Sequence, residues 1–295
     1  MSFTPQLTSD GSYTFLSSEF EETFHSLRGA KEEAQEKFIT PCQLAEKAQQ
    51  QSHLKILDIC YGLGYNTAAA IQTIWQVNPD CHLEIIGLES DWQVAQAATK
   101  HRLLNLWSSP IPELLEILAQ QQFLERCEIK AKLLIGDARN TIQVVIQEGF
   151  LADAIFLDPF SPPHCPQLWT VEFLALVAQC LDVSGRLATY SCAAAMRTAL
   201  NLAGLSYTST MGMNRRSTVA SWNPEDVSPL SQLDLEHQQT RAAVPYRDPN
   251  LDASTETILK CRQQEQLMSP LEATSQWRKR WQNQRATSTH NLKQI

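Results

Sequence analysis

Four acidic side chains stand at or just past the end of an apolar run, each in a place where a carboxylate could do chemistry. They are Asp58 in Leu54-Lys-Ile-Leu-Asp-Ile59, Glu89 in Leu88-Glu-Ser-Asp91, Asp137 in Ile135-Gly-Asp-Ala138, and Asp158 in Phe156-Leu-Asp-Pro-Phe160. An ionised carboxylate is purely an acceptor. Glu89 is placed to accept both hydroxyl protons of a ribose. Asp137 is placed to accept from the amino group of an adenine, with the neighbouring backbone N–H at Ala138 reaching a ring nitrogen. Gly62 and Gly64 follow the first run and let backbone approach a ligand closely. Asp158 is followed by a proline and an aromatic, Pro159 and Phe160. Each motif alone is compatible with a cap or a turn. Taken in order they suggest an enzyme that holds a nucleoside cofactor beside a second substrate.

The elements that must position these residues are legible as an alternation. Strand-like runs cover 55–60, 83–88, 131–135, 154–157 and 186–190, and helix-like runs cover 67–77, 92–106, 112–122, 140–147, 171–181 and 193–203. That order implies a parallel sheet covered on both faces, with ligands at the carboxyl ends of the strands. Two further strand-like pieces, 207–211 and 217–222, have no helix between them and read as an antiparallel hairpin at the sheet edge. Residues 29–50 read as helical around an interruption at Pro41, and 10–17 as extended after a turn. Composition shifts at Asn223 towards Pro, Asp and Gln, and a helical piece follows at 256–267. The expected organisation is an N-terminal cover over 1–50, a cofactor-binding domain over 51–222, and a C-terminal extension over 223–295 that serves as a lid or a nucleic-acid contact.

Composition narrows the class. The chain has 295 residues, 43% hydrophobic and 19% charged, with a net charge of −8. Such a balance argues against broad nucleic-acid affinity while leaving room for a local basic patch. No run is long and apolar enough for a membrane span, and the start lacks the pattern of a signal peptide. The eight cysteines form no Cys-x-x-Cys pair and the seven histidines show no ligand spacing, so no metal is expected. The cysteines read as small buried hydrophobes in a reducing, cytoplasmic setting.

The glycine loop discriminates further. No Gly-Lys-Ser/Thr follows it, which excludes a phosphate loop, and no third glycine follows Gly64 at the dinucleotide spacing. The series of glycine loop, acid after the second strand, Gly-Asp after the third and Asp-Pro after the fourth resembles the class I S-adenosylmethionine-dependent methyltransferases. Their Rossmann-like fold is a mostly parallel seven-stranded α/β sheet with an antiparallel terminal strand and helices on both faces. Within that class, Asp10-Gly-Ser12, Phe24-His-Ser-x-x-Gly-Ala30 with Glu32-Glu33, Gly62-Leu-Gly-Tyr-Asn66, Phe156 through Trp169 and Gly185-Arg-Leu-Ala-Thr-Tyr190 resemble the MnmC-like methyltransferases. That family makes 5-methylaminomethyl-2-thiouridine at the tRNA wobble position. Val244-Pro-Tyr-Arg-Asp-Pro249 resembles a feature of members without a fused oxidase, and no flavin fingerprint occurs.

The resemblance implies S-adenosylmethionine as cofactor and tRNA carrying an aminomethyl wobble uridine as partner. It implies cofactor contacts from Ser26, Glu33, Asp58, Gly62, Gly64, Asn66, Glu89, Asp137 and Ala138, with Phe24 and His25 lying over the cofactor. Asp158 is the expected catalytic residue, positioning the amine and standing as acceptor for its proton. Substrate contacts are expected from Pro159, from Phe160 stacked on a flipped base, and from Arg215, Arg216, Tyr246 and Arg247. Arg278, Lys279 and Arg280 are further phosphate candidates, while Trp277 and Trp281 share a helix face and are expected to pack. Three departures stand out: Cys60 replaces a family glycine, so its backbone must avoid positive φ or tolerate strain, Pro159 removes a backbone donor, and the family's basic run is thinned to Asn214-Arg215-Arg216, which weakens the expected grip on tRNA. Three other readings compete, one of them another small-molecule or RNA methyltransferase of the same fold. An aminopropyltransferase would share the sheet but needs a denser glycine run with an acid inside it. A cofactor-binding scaffold without chemistry leaves Asp58 and Asp158 unexplained.

Overall fold

Alternation in the first long strand sets the architecture. In His53–Ile59, Leu54 and Ile56 enter one apolar core and Leu57 and Ile59 enter another. Period-two burial on both faces is what a central parallel strand requires. The computed structural model describes residues 3–211 and 216–291. In chain order its elements are β1 (Gln6–Leu7), β2 (Tyr13–Thr14), α1 (Ala30–Ala34), α2 (Leu44–Gln50), β3 (His53–Ile59), α3 (Tyr65–Val77), β4 (His82–Glu89), α4 (Trp92–Lys100), α5 (Ile111–Gln121), β5 (Phe123–Arg126), β6 (Ile129–Ile135), α6 (Ala138–Gln147), β7 (Ala152–Leu157), α7 (Val171–Gln179), β8 (Leu181–Thr189), α8 (Ala194–Leu202), β9 (Ser206–Met211), β10 (Arg216–Ser221), α9 (Gln232–His237), α10 (Thr255–Met268) and α11 (Thr274–Asn291).

The main sheet has eight strands in the order β5-β6-β4-β3-β7-β8-β10-β9. Strands β6, β4, β3, β7 and β8 run parallel, and β10 is antiparallel to both β8 and β9. The expected α/β class is present, with one more strand than the expected seven. The addition is β5, antiparallel to β6, where Phe123 to Arg126 continue directly from α5. Helices α2 to α5 cover one face and α6 to α8 the other, each sealing its own core. The chain turns one way from β3 to β4 and the other way from β7 to β8, so strand order reverses between β3 and β7. That reversal opens a crevice at their carboxyl ends.

Local breaks differ from the expected spans for physical reasons. The helix expected over 92–106 stops at Lys100, and Arg102 turns left-handed at φ 55 before a short 3₁₀ turn, Leu103–Leu106. The helix expected over 29–50 divides around Pro41: α1 widens into a π-helical turn, Gln35–Ile39, and α2 begins after Gln43 at φ 56. The C-terminal stretch docks on the second core through Tyr246 and Ile258. Trp277 is buried and stacks on His237, with ring centroids 4.9 Å apart, as packing and not a free aromatic face. Among the described residues no helix is long and apolar enough to cross a membrane. Among those same residues no cluster of His, Cys, Asp or Glu is arranged to hold a metal ion.

Candidate active site

The loop after β3 is held open by its own backbone. The amides of Cys60 and Tyr61 both donate to the Leu88 carbonyl at the tip of β4, at 2.9 and 3.0 Å. Gly64 precedes α3 at φ 83, and a Cβ there would lie 2.6 Å from the Tyr61 hydroxyl, so only glycine fits. Cys60 sits at φ 67, tolerating a left-handed backbone that costs a non-glycine residue about 1–2 kcal/mol. Burial pushes its thiol well above the ordinary value, with Cys165 and nearby carboxylates adding to the effect, so it stays protonated. The Gly62 amide donates to Glu89 Oε2 at 2.8 Å, and the Asp91 amide to Oε1 at 2.9 Å. Burial raises the Glu89 pKa against these bonds.

Beside it, Asp137 caps α6 by accepting from the Arg139 amide at 2.9 Å. The Arg139 guanidinium grips the same carboxylate, with Nη2 at 2.6 Å from Oδ2. Burial acts to raise the Asp137 pKa, and the bonds from Arg139 outweigh it, so the group lies below the usual carboxylate range. Ala138 follows at the first turn of α6, where amides lack intrahelical partners.

Asp158 stands at the end of β7, its amide bonded to the Ile59 carbonyl at 3.1 Å. Asn66, in the first turn of α3, donates from Nδ2 to Asp158 Oδ2 at 3.0 Å. Burial lifts the Asp158 pKa well above the usual range, and the Glu33 and Asp58 charges add to this. The Asn66 bond and the Lys37 charge oppose it. The following loop is pinned by the Tyr190 hydroxyl on the Pro159 carbonyl at 2.9 Å and by Trp169 Nε1 on the Phe160 carbonyl at 2.8 Å. The Phe160 ring lies stacked on Phe20, centroids 4.4 Å apart, with Phe24 edge-on at 5.1 Å.

The N-terminal cover is fixed by Asp10, whose Oδ2 accepts from the Glu32 amide at 3.0 Å, and by Ser12 Oγ, which accepts from the Ala30 amide at 2.9 Å. Gly29 leaves room for that contact, since a Cβ would fall 2.4 Å from the Asp10 carboxyl. Glu33 is thereby turned inward. Its Oε2 accepts from the Ser26 amide at 2.8 Å and its Oε1 from Lys37 Nζ at 2.6 Å. Burial pushes Glu33 up, but Lys37 and the Ser26 amide more than reverse it. His25 is buried against Tyr65, and burial lowers its pKa to about 4, so it is neutral.

These parts enclose a cavity of about 740 Å³. Ser26, Glu33, Gly62, Glu89, Asp137, Ala138, Asp158, Pro159 and Phe160 all line it. Sequence reasoning missed Phe20, Glu22 and Lys37 in the lining. Glu22, inside an acidic run, reads as a solvated turn, yet it accepts from both the amide and the hydroxyl of Ser161. The Glu33–Lys37 spacing reads as a surface pair, yet both side chains are largely buried. The charge of the cavity is one-sided: among the described lining residues, Glu19, Glu22, Glu33, Glu89, Asp91, Asp137 and Asp158 face the single ammonium of Lys37. Such a lining fits a ligand of net positive charge, as S-adenosylmethionine is.

Several expected contacts lie elsewhere. Asp58, Gly64 and Asn66 do not line the cavity but support its wall from behind. Asp58 is fully buried, accepts from the Thr67 hydroxyl at 2.7 Å and leaves Oδ1 without a partner. Burial first, and Glu89 with it, raises the Asp58 pKa to about 7 against the Thr67 bond. Arg216 points its guanidinium at Asp234, 2.8 Å away in a network with Arg197. Tyr246 is buried beneath Arg262, whose guanidinium lies 4.3 Å from the ring centroid. Arg247 pairs with Glu172 at 2.7 Å. None of these three lines the cavity, because each is committed to a partner in the second layer or the C-terminal stretch. Arg215 lies outside the described residues. Arg280 is paired with Glu236 and Glu272, whereas Arg278 and Lys279 are exposed.

A family model described as S-adenosyl-L-methionine-dependent methyltransferase matches residues 101–223. The crystal structure of MnmC2 from Aquifex aeolicus is 32% identical and superposes with a TM-score of 0.80, over 91% of this chain and 86% of that one. An uncharacterized protein of Methanocaldococcus jannaschii is 29% identical over 87% of this chain and 70% of its own length. The tRNA 5-methylaminomethyl-2-thiouridine biosynthesis bifunctional protein MnmC of an Acidovorax strain is 29% identical over 74% of this chain, which covers 36% of that protein. The match therefore spans about a third of the bifunctional relative. With the cavity, the strand-tip acids and these likenesses together, the chain belongs to the MnmC-like family of S-adenosyl-L-methionine-dependent methyltransferases.

Proposed function

We propose that the chain methylates the primary amine of a 5-aminomethyl-2-thiouridine at the tRNA wobble position, giving the methylaminomethyl base. The observation that carries this reading is Asp158, a carboxylate in an acid-rich cavity with one oxygen engaged by Asn66. Bound S-adenosylmethionine supplies an electrophilic methyl group on a sulfonium. Asp158 accepts an N–H from the entering amine and so orients the nitrogen lone pair. As the N–C bond forms, the S–C bond breaks and its electron pair stays on sulfur. The nitrogen then carries an extra proton, which passes to the Asp158 carboxylate. Its raised pKa suits it to that transfer, since a carboxylate of ordinary acidity would take up a proton poorly. Phe160 offers a ring face for the uracil.

The names carried by the bifunctional relatives support the substrate. The reading is tested by incubating the protein with methyl-labelled S-adenosylmethionine and tRNA bearing the aminomethyl base, followed by nucleoside mass analysis. Label in methylaminomethyl-2-thiouridine is expected. Label in a small diamine, or none in tRNA, overturns it.

A further inference from the structure

The C-terminal stretch reaches the cofactor cavity through one buried charge. Asp248 is 1% exposed, and a carboxylate so buried must be paired. Its Oδ2 accepts from Arg139 Nη1 at 2.9 Å, and its Oδ1 from the amides of Asp252 and Ala253 at 3.2 and 3.1 Å. The amide of Asp248 itself donates to Glu172 Oε2 on α7 at 2.7 Å. Arg139 Nη1 also reaches the Ala253 carbonyl at 3.0 Å. The other side of the guanidinium, Nε and Nη2, holds both oxygens of Asp137. A guanidinium is a rigid planar fork, so anchoring one side fixes what the other side grips. Asp137 alone would be an acid at a partly exposed helix start, and exposed ion pairs hold geometry weakly.

We propose that Asp248 and Arg139 are positioning residues for the nucleoside end of the cavity. The turn at 248–253 clamps Arg139, and Arg139 holds the Asp137 carboxylate in one orientation, which leaves one acceptor site for the ligand's base. This rests on the reading of Asp137 as the acceptor for the adenine amino group. It gives the C-terminal stretch a role in cofactor selection in place of a lid over the substrate.

The test uses the full chain with Asp248→Asn, which keeps shape and loses charge, and Arg139→Lys, which keeps charge and loses the fork. Calorimetry measures the Kd of S-adenosylhomocysteine and of its inosyl analogue, in which an oxo group replaces the amino group. Steady-state kinetics with the tRNA substrate accompanies it. Each variant is expected to bind the adenosyl ligand about tenfold more weakly, the scale of one charge-assisted hydrogen bond, with kcat at saturating cofactor unchanged. The preference for adenosyl over inosyl is expected to fall with it. Folded variants with unchanged affinity and preference overturn the proposal, as does a loss of kcat without loss of affinity. If Asp248→Asn does not fold, Arg139→Lys decides alone. A wild-type protein that binds the adenosyl ligand without preferring it over the inosyl one overturns the role of Asp137 and the clamp with it, while leaving the methyl-transfer reading intact. A wild-type protein that binds neither ligand overturns both.

Discussion

In the proposed reaction Asp158 and Asn66 act as a pair at the reacting end of the cavity. The amide of Asn66 occupies one carboxylate oxygen, so the amine approaches the other. Asp158→Asn is expected to lower kcat about a hundredfold or more while cofactor Kd stays within about twofold, read by single-turnover kinetics and calorimetry. The pH profile follows from the direction of the Asp158 pKa. The carboxylate is the working form, its pKa is raised by burial and by Glu33 and Asp58, and so the rate rises with pH through that raised value. Asn66→Ala removes a bond that holds the pKa down, and the acid limb moves to higher pH. An unmoved limb would remove Asn66 from the mechanism. Asp58 makes a separate prediction about stability. Its folded pKa of about 7 lies above the unfolded value of 3.8, so the folded state holds the proton longer. Stability is full below about pH 4, falls as pH rises through 7, and stays reduced above it. Asp58→Asn is therefore expected to raise stability at pH 8 by on the order of a few kcal/mol, read as a higher thermal midpoint, and to change it little at pH 4.

At the scale of elements, each acid takes its position from a strand tip, and this much was legible in the sequence. Glu89, Asp137 and Asp158 follow buried apolar runs, and all three line the cavity. Spacing says which strand tip a residue occupies but not which side of the loop its side chain takes. Asp58 is accordingly turned to Thr67 of α3, and Asn66 reaches the cavity only through its bond to Asp158. Tyr246 and Arg247 escaped because their partners, Arg262 and Glu172, lie on other elements and leave no local pattern. Strand β5 escaped because four residues, one of them buried, are too few for an alternation to register. The segment carrying Phe20 has its own consequence. A base held between two aromatic rings needs them about 7 Å apart, twice the usual stacking distance. Phe20 and Phe160 are at 4.4 Å, so a base stacked on that face displaces Phe20. Phe160→Ala is expected to raise KM for tRNA about tenfold, the scale of one base–aromatic stack, without altering cofactor Kd.

At the scale of the whole molecule, the proposed reaction asks a chain of net charge −8 to meet a polyanion. Three of the basic residues expected to help, Arg216, Arg247 and Arg280, are neutralised inside ion pairs. Recognition of tRNA then rests more on the base delivered to the cavity than on general attraction to its backbone, and broad affinity for unrelated RNA is expected to be low. The one-sided charge of the cavity has a further effect on turnover. Methyl transfer converts a sulfonium into a neutral thioether, so the spent nucleoside loses the positive charge that the surrounding carboxylates favour. The protein should therefore grip its fresh donor harder than the by-product. A competition series at rising ionic strength would show that margin shrinking as salt screens the acids. Turnover in the cell would then be less easily throttled by accumulated by-product than in a site that reads the adenosine alone.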